Sequence, residues 1–291
     1  MKNKRLGLLI LISIPLCSFG QSLLDKLAKE PLDSTQYVMS TFKGTRISIG
    51  HSMETRKKNT LEVSFMSRYW NTPQETSNAF VADRMCTRFG LDYGISNNFT
   101  IGIGAGTPNG IFDAYVKHRI VQQKTDNTGI PFGITLLQSG TYRTRSIIGI
   151  ENRDSFGDKL AFTTQLLIAR KFSRNFSFQI SPTFIHRTSS SFNEDDHNHF
   201  AVGFSPRYKV SNHVSLVSEY YYVANPLKSV KTYGAFVLGV NWEVSDLLLQ
   251  FKMTNNQIFN EDGFITQTVR NFNTRDGNFF FGFHATYHIQ L

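Results

Sequence analysis

Few residues of this chain have the types and spacing that chemistry needs. Asp195, Asp196, His197 and His199 crowd four potential metal ligands into one short polar stretch. A cation site needs such groups to converge on one point, whereas a solvated loop needs no convergence. His284 and His288 are four residues apart, and on a strand that separation is roughly 13 Å, too far for one ion. Gly102, Gly104 and Gly106 have the look of a phosphate-cradling loop. That loop requires a strand running into a helix, and here the glycines alternate within a strand, beside Gly90 and Gly94 on its neighbour. They read instead as a smoothed wall against which something packs closely. A hydrolase needs a serine, a base and an orienting partner in contact. Pairing Met53 with Leu61 sets His51 opposite Val63 and Ser67 opposite Ile47, so no dyad forms, and His118 has no serine partner. The expectation is no enzyme: no catalytic residue, no cofactor and no metal site.

The elements that must position these residues are strands. Four turns look alike: Ile95-Ser-Asn-Asn-Phe99, Phe172-Ser-Arg-Asn-Phe176, Val210-Ser-Asn-His-Val214 and Val244-Ser-Asp-Leu247. Segments that alternate apolar and polar residues flank each one, the pattern of an antiparallel meander. Phe176, Phe178, Ile180 and Phe184 alternate with Ser177, Gln179, Ser181 and Thr183. Tight closure pairs Tyr93 with Ile101 and Leu91 with Ile103, Trp242 with Leu249 and Val240 with Phe251, and Ile168 with Phe178 and Leu166 with Ile180. It also pairs Ile95 with Phe99. Opposed residues share a sheet face, so one whole face is apolar and the other mixed. The segment 214–224 is less regular, with Val217 and Tyr221 on its polar side.

A soluble sandwich turns such an apolar face inward; a transmembrane barrel turns it to lipid. An export signal, an unbroken meander and an alternating aromatic strand at the C-terminus favour the barrel. Strands are expected near 45–54, 59–69, 86–95, 99–106, 111–123, 130–142, 158–172, 176–187, 199–210, 214–224, 233–244, 247–254 and 278–291. Gln36–Phe42 supplies a further strand, because such barrels have an even number. The fold class is therefore all-β: a single antiparallel transmembrane β-barrel over 36–291 with about fourteen strands, or twelve if two weak ones fail. The four look-alike turns then fall at one end, with 55–58 and 124–129, as short periplasmic turns. The longer stretches Asn71–Met85, Arg143–Gly157, Thr188–Asn198, Asn225–Thr232 and Asn255–Gly277 fall at the other, as extracellular loops.

The face opposite the lipid is the remaining candidate site. It holds Arg88, Asp92, Asp113, Lys117, Arg119, Arg207, Lys209, Glu219 and Lys252, the expected lumen-lining set, along with Arg46, Arg68, Glu62 and Glu243. Bases outnumber acids, so the lumen is mildly basic. As a channel wall it would favour small anionic solutes; as a closed interior the charges would pair and hold the barrel's shape.

The N-terminus has the form of a signal peptide. Lys2, Lys4 and Arg5 precede an apolar stretch, Leu6–Leu16, too short to span a bilayer as a helix, and Ser18-Phe19-Gly20 fits cleavage before Gln21. Cys17 raises a lipoprotein alternative that Pro15-Leu16 fits poorly. Residues 21–35 form a periplasmic segment in which Ser22–Lys29 could be a short helix. The formal charge of +9 falls to about +6 once the signal is removed, a balance suited to anionic lipid or solutes, since an exported chain rarely meets nucleic acid. Only Cys86 then remains, so no internal disulfide can form.

The run Ser40-Thr-Phe-Lys-Gly-Thr-Arg-Ile-Ser-Ile-Gly-His-Ser52 resembles the opening of an uncharacterised family of outer-membrane β-barrel proteins, a domain of unknown function. Leu61-Glu-Val-Ser-Phe65, Phe89–Ile95 with Thr100–Gly104, and Tyr115-Val-Lys-His-Arg119 with Gln122 resemble it too. The resemblance implies a barrel in the outer membrane and transfers no functional residue. The expected partners are outer-membrane lipid and small anionic solutes. The expected role is a passive channel or binding barrel, with a structural barrel that binds a surface partner through its loops, or a barrel lipid hydrolase, as alternatives.

Overall fold

The computed structural model describes residues 37–70, 85–107, 110–125, 129–145, 155–190, 192–273, 275 and 278–291. The expected signal peptide, the segment 21–35 with its short helix, and most of the loop Asn71–Met85 lie outside the described residues.

Twelve strands form the wall: β1 (Thr60–Trp70), β2 (Met85–Ser96), β3 (Phe99–Gly106), β4 (Ile111–Val121), β5 (Gly133–Arg143), β6 (Leu160–Lys171), β7 (Phe176–Arg187), β8 (Asn198–Lys209), β9 (Val214–Val223), β10 (Phe236–Val244), β11 (Leu247–Thr254) and β12 (Phe280–Gln290). Each pairs antiparallel with its sequence neighbour. β12 closes on β1, from Thr60 opposite Gln290 to Trp70 opposite Phe280, and makes a complete barrel. Closure leaves no strand edge, so every main-chain group of the wall can be paired without water, the condition for crossing hydrocarbon with strands. None of the described helices is long and apolar enough to cross a membrane.

The period of two sorts residues by face, and burial runs opposite to that of a soluble protein. Large apolar side chains such as Phe89 (62% exposed) and Phe200 (57%) point outward, while Thr100, Thr135, Gln165, Gln179 and Glu219 are fully buried inside. The sandwich reading fails on this point, because it needs the phenylalanines inside. Tyr93, Tyr208, Trp242 and Tyr287 lie toward the short-turn end of the wall, and Tyr69, Tyr142 and Tyr222 toward the long-loop end. They mark two aromatic belts, as membrane interfaces favour.

The expected fourteen strands are corrected to twelve. Of the expected strand Gln36–Phe42, residues 37–42 are described, and neither they nor 45–54 are part of the wall. Thr41–Gly50 runs as bends, apart from an isolated bridge between Arg46 and His51, and it is almost entirely buried. Ile47 N–H donates to Gly50 O (2.9 Å) and Ser52 N–H to Thr45 O (2.9 Å), so the segment doubles back on itself inside the barrel. The wall had no place for it, since β2 and β12 take both edges of β1. The register pairing Met53 with Leu61 therefore fails, because Leu61 faces Tyr93 and Ile289. The two lost strands formed a pair, so the division into short turns at one end and long loops at the other survives.

The β10–β11 register is as expected, with Trp242 opposite Leu249 and Val240 opposite Phe251. In β2–β3, Tyr93 and Leu91 have their expected partners, but a shift between Gly94 and Ser96 puts Ser96, not Ile95, opposite Phe99. In β6–β7 the register is two residues from that expected: Ile168 faces Ile180, and Arg170 faces Phe178. The turn closes with Phe172 N–H on Phe176 O (3.0 Å), and the two rings stack 5.8 Å apart. A slip of two keeps every side chain on its face.

Val240→Arg, in the middle of the outward face, should lower unfolding stability by about 2–4 kcal/mol in lipid vesicles, and Val244→Arg, at the strand end, by about 0–1 kcal/mol. Denaturant titration in vesicles measures both, and equal costs would contradict a lipid-facing wall.

Candidate functional site

The lumen is filled from both ends. From the turn end comes Thr41–Thr55, a plug whose main-chain groups are received by side chains of the wall. The Glu219 carboxylate accepts from the amides of Ile49 (2.7 Å) and Gly50 (2.9 Å). Gln179 accepts from Met53 N–H and donates to His51 O, both at 2.8 Å. Lys117 Nζ donates to Thr45 O (2.6 Å), Ser52 O (2.9 Å) and Glu54 O (3.3 Å). Gln250 (2.6 Å) and Asn241 (3.2 Å) donate to Ile47 O, Thr135 to Met53 O (2.7 Å), and Lys252 to Ser48 O. A buried main chain without a strand partner needs this, because an unpaired buried amide or carbonyl costs about 1–3 kcal/mol.

Apolar side chains of the plug are accommodated as well. Phe42, Ile47 and Met53 pack with Tyr115, Leu137, Leu167 and Val217; Ile49 packs with Ile185, Val237 and Tyr221. These wall residues are the apolar intrusions on the inward face.

From the loop end comes the β11–β12 connection, whose helix α1 (Glu261–Thr266) is wholly buried. Phe264 packs edge-on against Tyr221, with ring centroids 5.1 Å apart. Asp262 accepts from Arg143 Nη2 (2.9 Å), while Arg187 Nη2 donates to Asp262 O (2.9 Å) and Thr266 Oγ1 (2.6 Å). The two intruding elements meet at Glu261, whose Oε1 lies 2.9 Å from Arg46 Nη1 and 3.1 Å from His51 Nε2. His51 stands edge-on to Tyr115 at 4.5 Å.

Below the plug, at the turn end, is a vestibule of about 580 Å³ lined by Lys43, Glu54, Arg56, Arg119 and His288 among others. Ion pairs stitch the plug to the wall around it: Lys43 to Glu243 (2.7 Å), Arg119 to Glu54 (3.0 Å) and Arg56 to Glu62 (3.1 Å). Above, beneath the long loops, a pocket of about 200 Å³ lies among Arg187, Asp195, Ser229 and Gln267.

The residues expected to line the lumen occupy different positions in this arrangement. Arg88 and Asp113 form a two-pronged pair within the wall, with Nε to Oδ1 at 2.8 Å. Gly104 makes room for it: a β-carbon there would stand 2.1 Å from Arg88 Nη2. Asp92 (3.2 Å) and Glu62 (2.7 Å) accept from Thr45 Oγ1. Arg207 donates to Thr41 O and Ser215 Oγ, both at 3.3 Å. Lys117, Arg119, Glu219 and Lys252 hold the plug as described, and Lys209 is half-buried at the turn end. Arg46 belongs to the plug, not the wall. Sequence reasoning missed Glu261, Asp262, Arg143, Arg187 and Gln179. For the acids no signal existed, since a loop carries no face periodicity.

The other candidate side chains have the following partners. Asp195 accepts from Ser229 Oγ (2.6 Å) and the amides of Lys228 (2.8 Å) and Ser229 (2.9 Å), while Asp196 pairs with Lys228 Nζ (2.9 Å). His197 and His199 bind main-chain carbonyls of Arg187 and Asn225. No group of three potential ligands converges among the described residues. His284 meets Thr286, and His288 meets Glu62.

Glu261→Gln leaves Arg46 facing a neutral amide and should cost roughly 3–5 kcal/mol. Denaturant titration, read with proteolysis at the plug, measures it, and wild-type stability would contradict the joint. Partial burial pushes the Asp195 carboxyl up, but hydrogen bonds from Ser229 and Lys228 outweigh it and hold the carboxyl below its usual range. A depressed carboxyl stabilises above its unfolded value, near 3.9, and the contribution fades as pH falls through the folded value. The protection factor of the Ser229 amide, taken against the intrinsic exchange rate at each pH, should therefore fall below about pH 4, and Asp195→Asn should remove that dependence.

Residues 42–288 match the model of a family described as a membrane bound beta barrel domain, DUF5777. No curated protein matches the sequence. Among solved structures the chain is similar to an outer-membrane channel from Pseudomonas putida F1, at 11% identity and TM-score 0.50, over 81% of this chain and 98% of that one. It is similar also to the KdgM porin (8%, 0.48, over 78% and 98%) and to the NanC porin (10%, 0.47, over 79% and 100%). At such identities the likeness concerns the fold alone.

Proposed function

The chain belongs to the membrane bound beta barrel family, and from that premise and the filled lumen we propose that it is a gated outer-membrane barrel for small polar solutes. Its N-terminal twenty residues act as the export signal, residues 21–35 lie in the periplasm, and the long loops face outward. The excess of bases among the lumen groups, Arg88, Lys117, Arg119, Arg207, Lys209 and Lys252 against Asp92, Asp113 and Glu219, favours anionic solutes. Transport needs no covalent step and no cofactor.

One observation carries the reading. The element that shuts the lumen from the turn end is not a strand of the wall but a separate segment, held by hydrogen bonds, by partly exposed ion pairs at its seam and by the buried Arg46–Glu261 joint to the opposite intrusion. Those bonds can exchange for water or solute while the twelve strands stay paired. Exposed or half-exposed pairs such as Lys43–Glu243 contribute only about 0–1 kcal/mol each and weaken with salt, so the turn-end seam is where release begins.

Gly50 provides the test. A β-carbon there would stand 1.7 Å from the Tyr221 hydroxyl and 2.7 Å from the Glu219 carboxylate, so Gly50→Leu forces the plug tip out of place. In planar bilayers the wild-type protein should conduct rarely and Gly50→Leu often, with a preference for anions. If both fold, as judged by heat-modifiable mobility, and neither conducts, the gated-barrel reading is wrong.

A further inference from the structure

We infer that the lumen groups that hold the plug form a main-chain-reading site, and that the solute it takes is a short peptide that competes with the plug. The inference rests on the gated-barrel reading and adds the class of ligand.

The basis is which atoms of the plug the wall touches. Glu219 takes two successive amides, Ile49 and Gly50. Gln179 grips the chain on both its donor and acceptor sides, through Met53 N–H and His51 O. Lys117 directs its contacts at three carbonyls, those of Thr45, Ser52 and Glu54, and Lys252 is directed at Ser48 O. Gln250 and Thr135 donate to the carbonyls of Ile47 and Met53. Those contacts are to backbone atoms, so they would be available to a peptide of almost any sequence.

The two lysines strengthen the case. Among the described residues neither Lys117 nor Lys252 has a carboxylate within ion-pair distance; their hydrogen-bond acceptors are plug carbonyls. Arg88, by contrast, has Asp113 on the wall and keeps it whether or not the plug is present. Withdrawal of the plug therefore leaves Arg88 satisfied and strips both lysines, Glu219 and Gln179 of their plug partners. Buried groups in that state need replacement partners. A peptide supplies amides for Glu219 and carbonyls for the lysines, and its terminal carboxylate is a stronger acceptor than the carbonyl it displaces. A simple polyanion supplies acceptors and no donor for Glu219, and a monosaccharide, whose hydroxyls both donate and accept, is too short to reach both lysines. β4 and β11, which carry the lysines, lie five strands apart in the ring of twelve, so a ligand between them must have the length of several residues.

The test uses the full chain with Cys17→Ser, Cys86→Ser and Ser48→Cys, the last fully buried at the plug tip. Thiol labelling then reports displacement of the plug. Millimolar triglycine or triglutamate should raise the labelling rate at least several-fold, and citrate or maltose at equal ionic strength should not. Lys43→Ala loosens the seam without touching the reader groups; it should raise basal labelling and keep the peptide response. Glu219→Gln and Gln179→Leu should raise basal labelling and lose that response. If peptides leave labelling unchanged in the Lys43→Ala background, or if citrate and maltose act equally well, the inference is overturned. Neither result bears on conduction by Gly50→Leu, which decides the gated-barrel reading separately.

Discussion

A peptide segment that runs through a barrel without joining its wall must find side-chain partners for its amides and carbonyls. Much of the lumen follows from that demand. Long polar side chains reach inward from β4, β7, β9 and β11 to Thr41–Thr55. The plug turns at Gly50, where there is no space for a side chain beside Tyr221. Apolar residues interrupt the polar inner face where the plug's own apolar side chains land. The outer face obeys a different solvent and is shaped by hydrocarbon alone.

Charges inside the barrel divide by what they hold. Arg88 and Asp113 belong to the wall and hold each other. Lys117, Glu219 and Lys252 hold the plug. Arg143 and Arg187 hold the inward helix through Asp262. Buried ion pairs contribute little net stability, yet breaking one is costly, so they specify an arrangement more than they strengthen it. Glu261 has a particular place in this division. Two plug side chains, Arg46 and His51, converge on this carboxylate of the opposite intrusion, so displacement of either element is felt by the other.

The barrel was legible from alternation and from four serine turns, because outward phenylalanines and inward polar residues repeat with a period of two. The same period assigned a charged set to the inner face. What each member holds was not, because facing inward does not say what lies opposite. Two traces of the plug were nevertheless present. Val217 and Tyr221 broke the polar parity of β9, and both pack against the intruding elements. His51 sat on the apolar parity of the segment expected as a strand, where a lipid-facing histidine would be out of place. The slip of two residues in β6–β7 leaves the parity unchanged, so alternation does not report it, and only the Phe172–Phe176 closure decides it.

The sequence by itself determined the wall: which residues face lipid, where the turns lie, and that short and long connections fall at opposite ends. Local alternation carries that information, because successive side chains of a strand must point to opposite faces. Only the tertiary structure decided whether 45–54 joins the wall or fills it. Alternation reports a residue's face and not its neighbour, and a plug packed between two sides of a lumen alternates as a strand does. The decision came from closure. Once β12 paired with β1, no edge remained to accept another strand, and the polar interior offered the segment the hydrogen-bond partners that the wall could not.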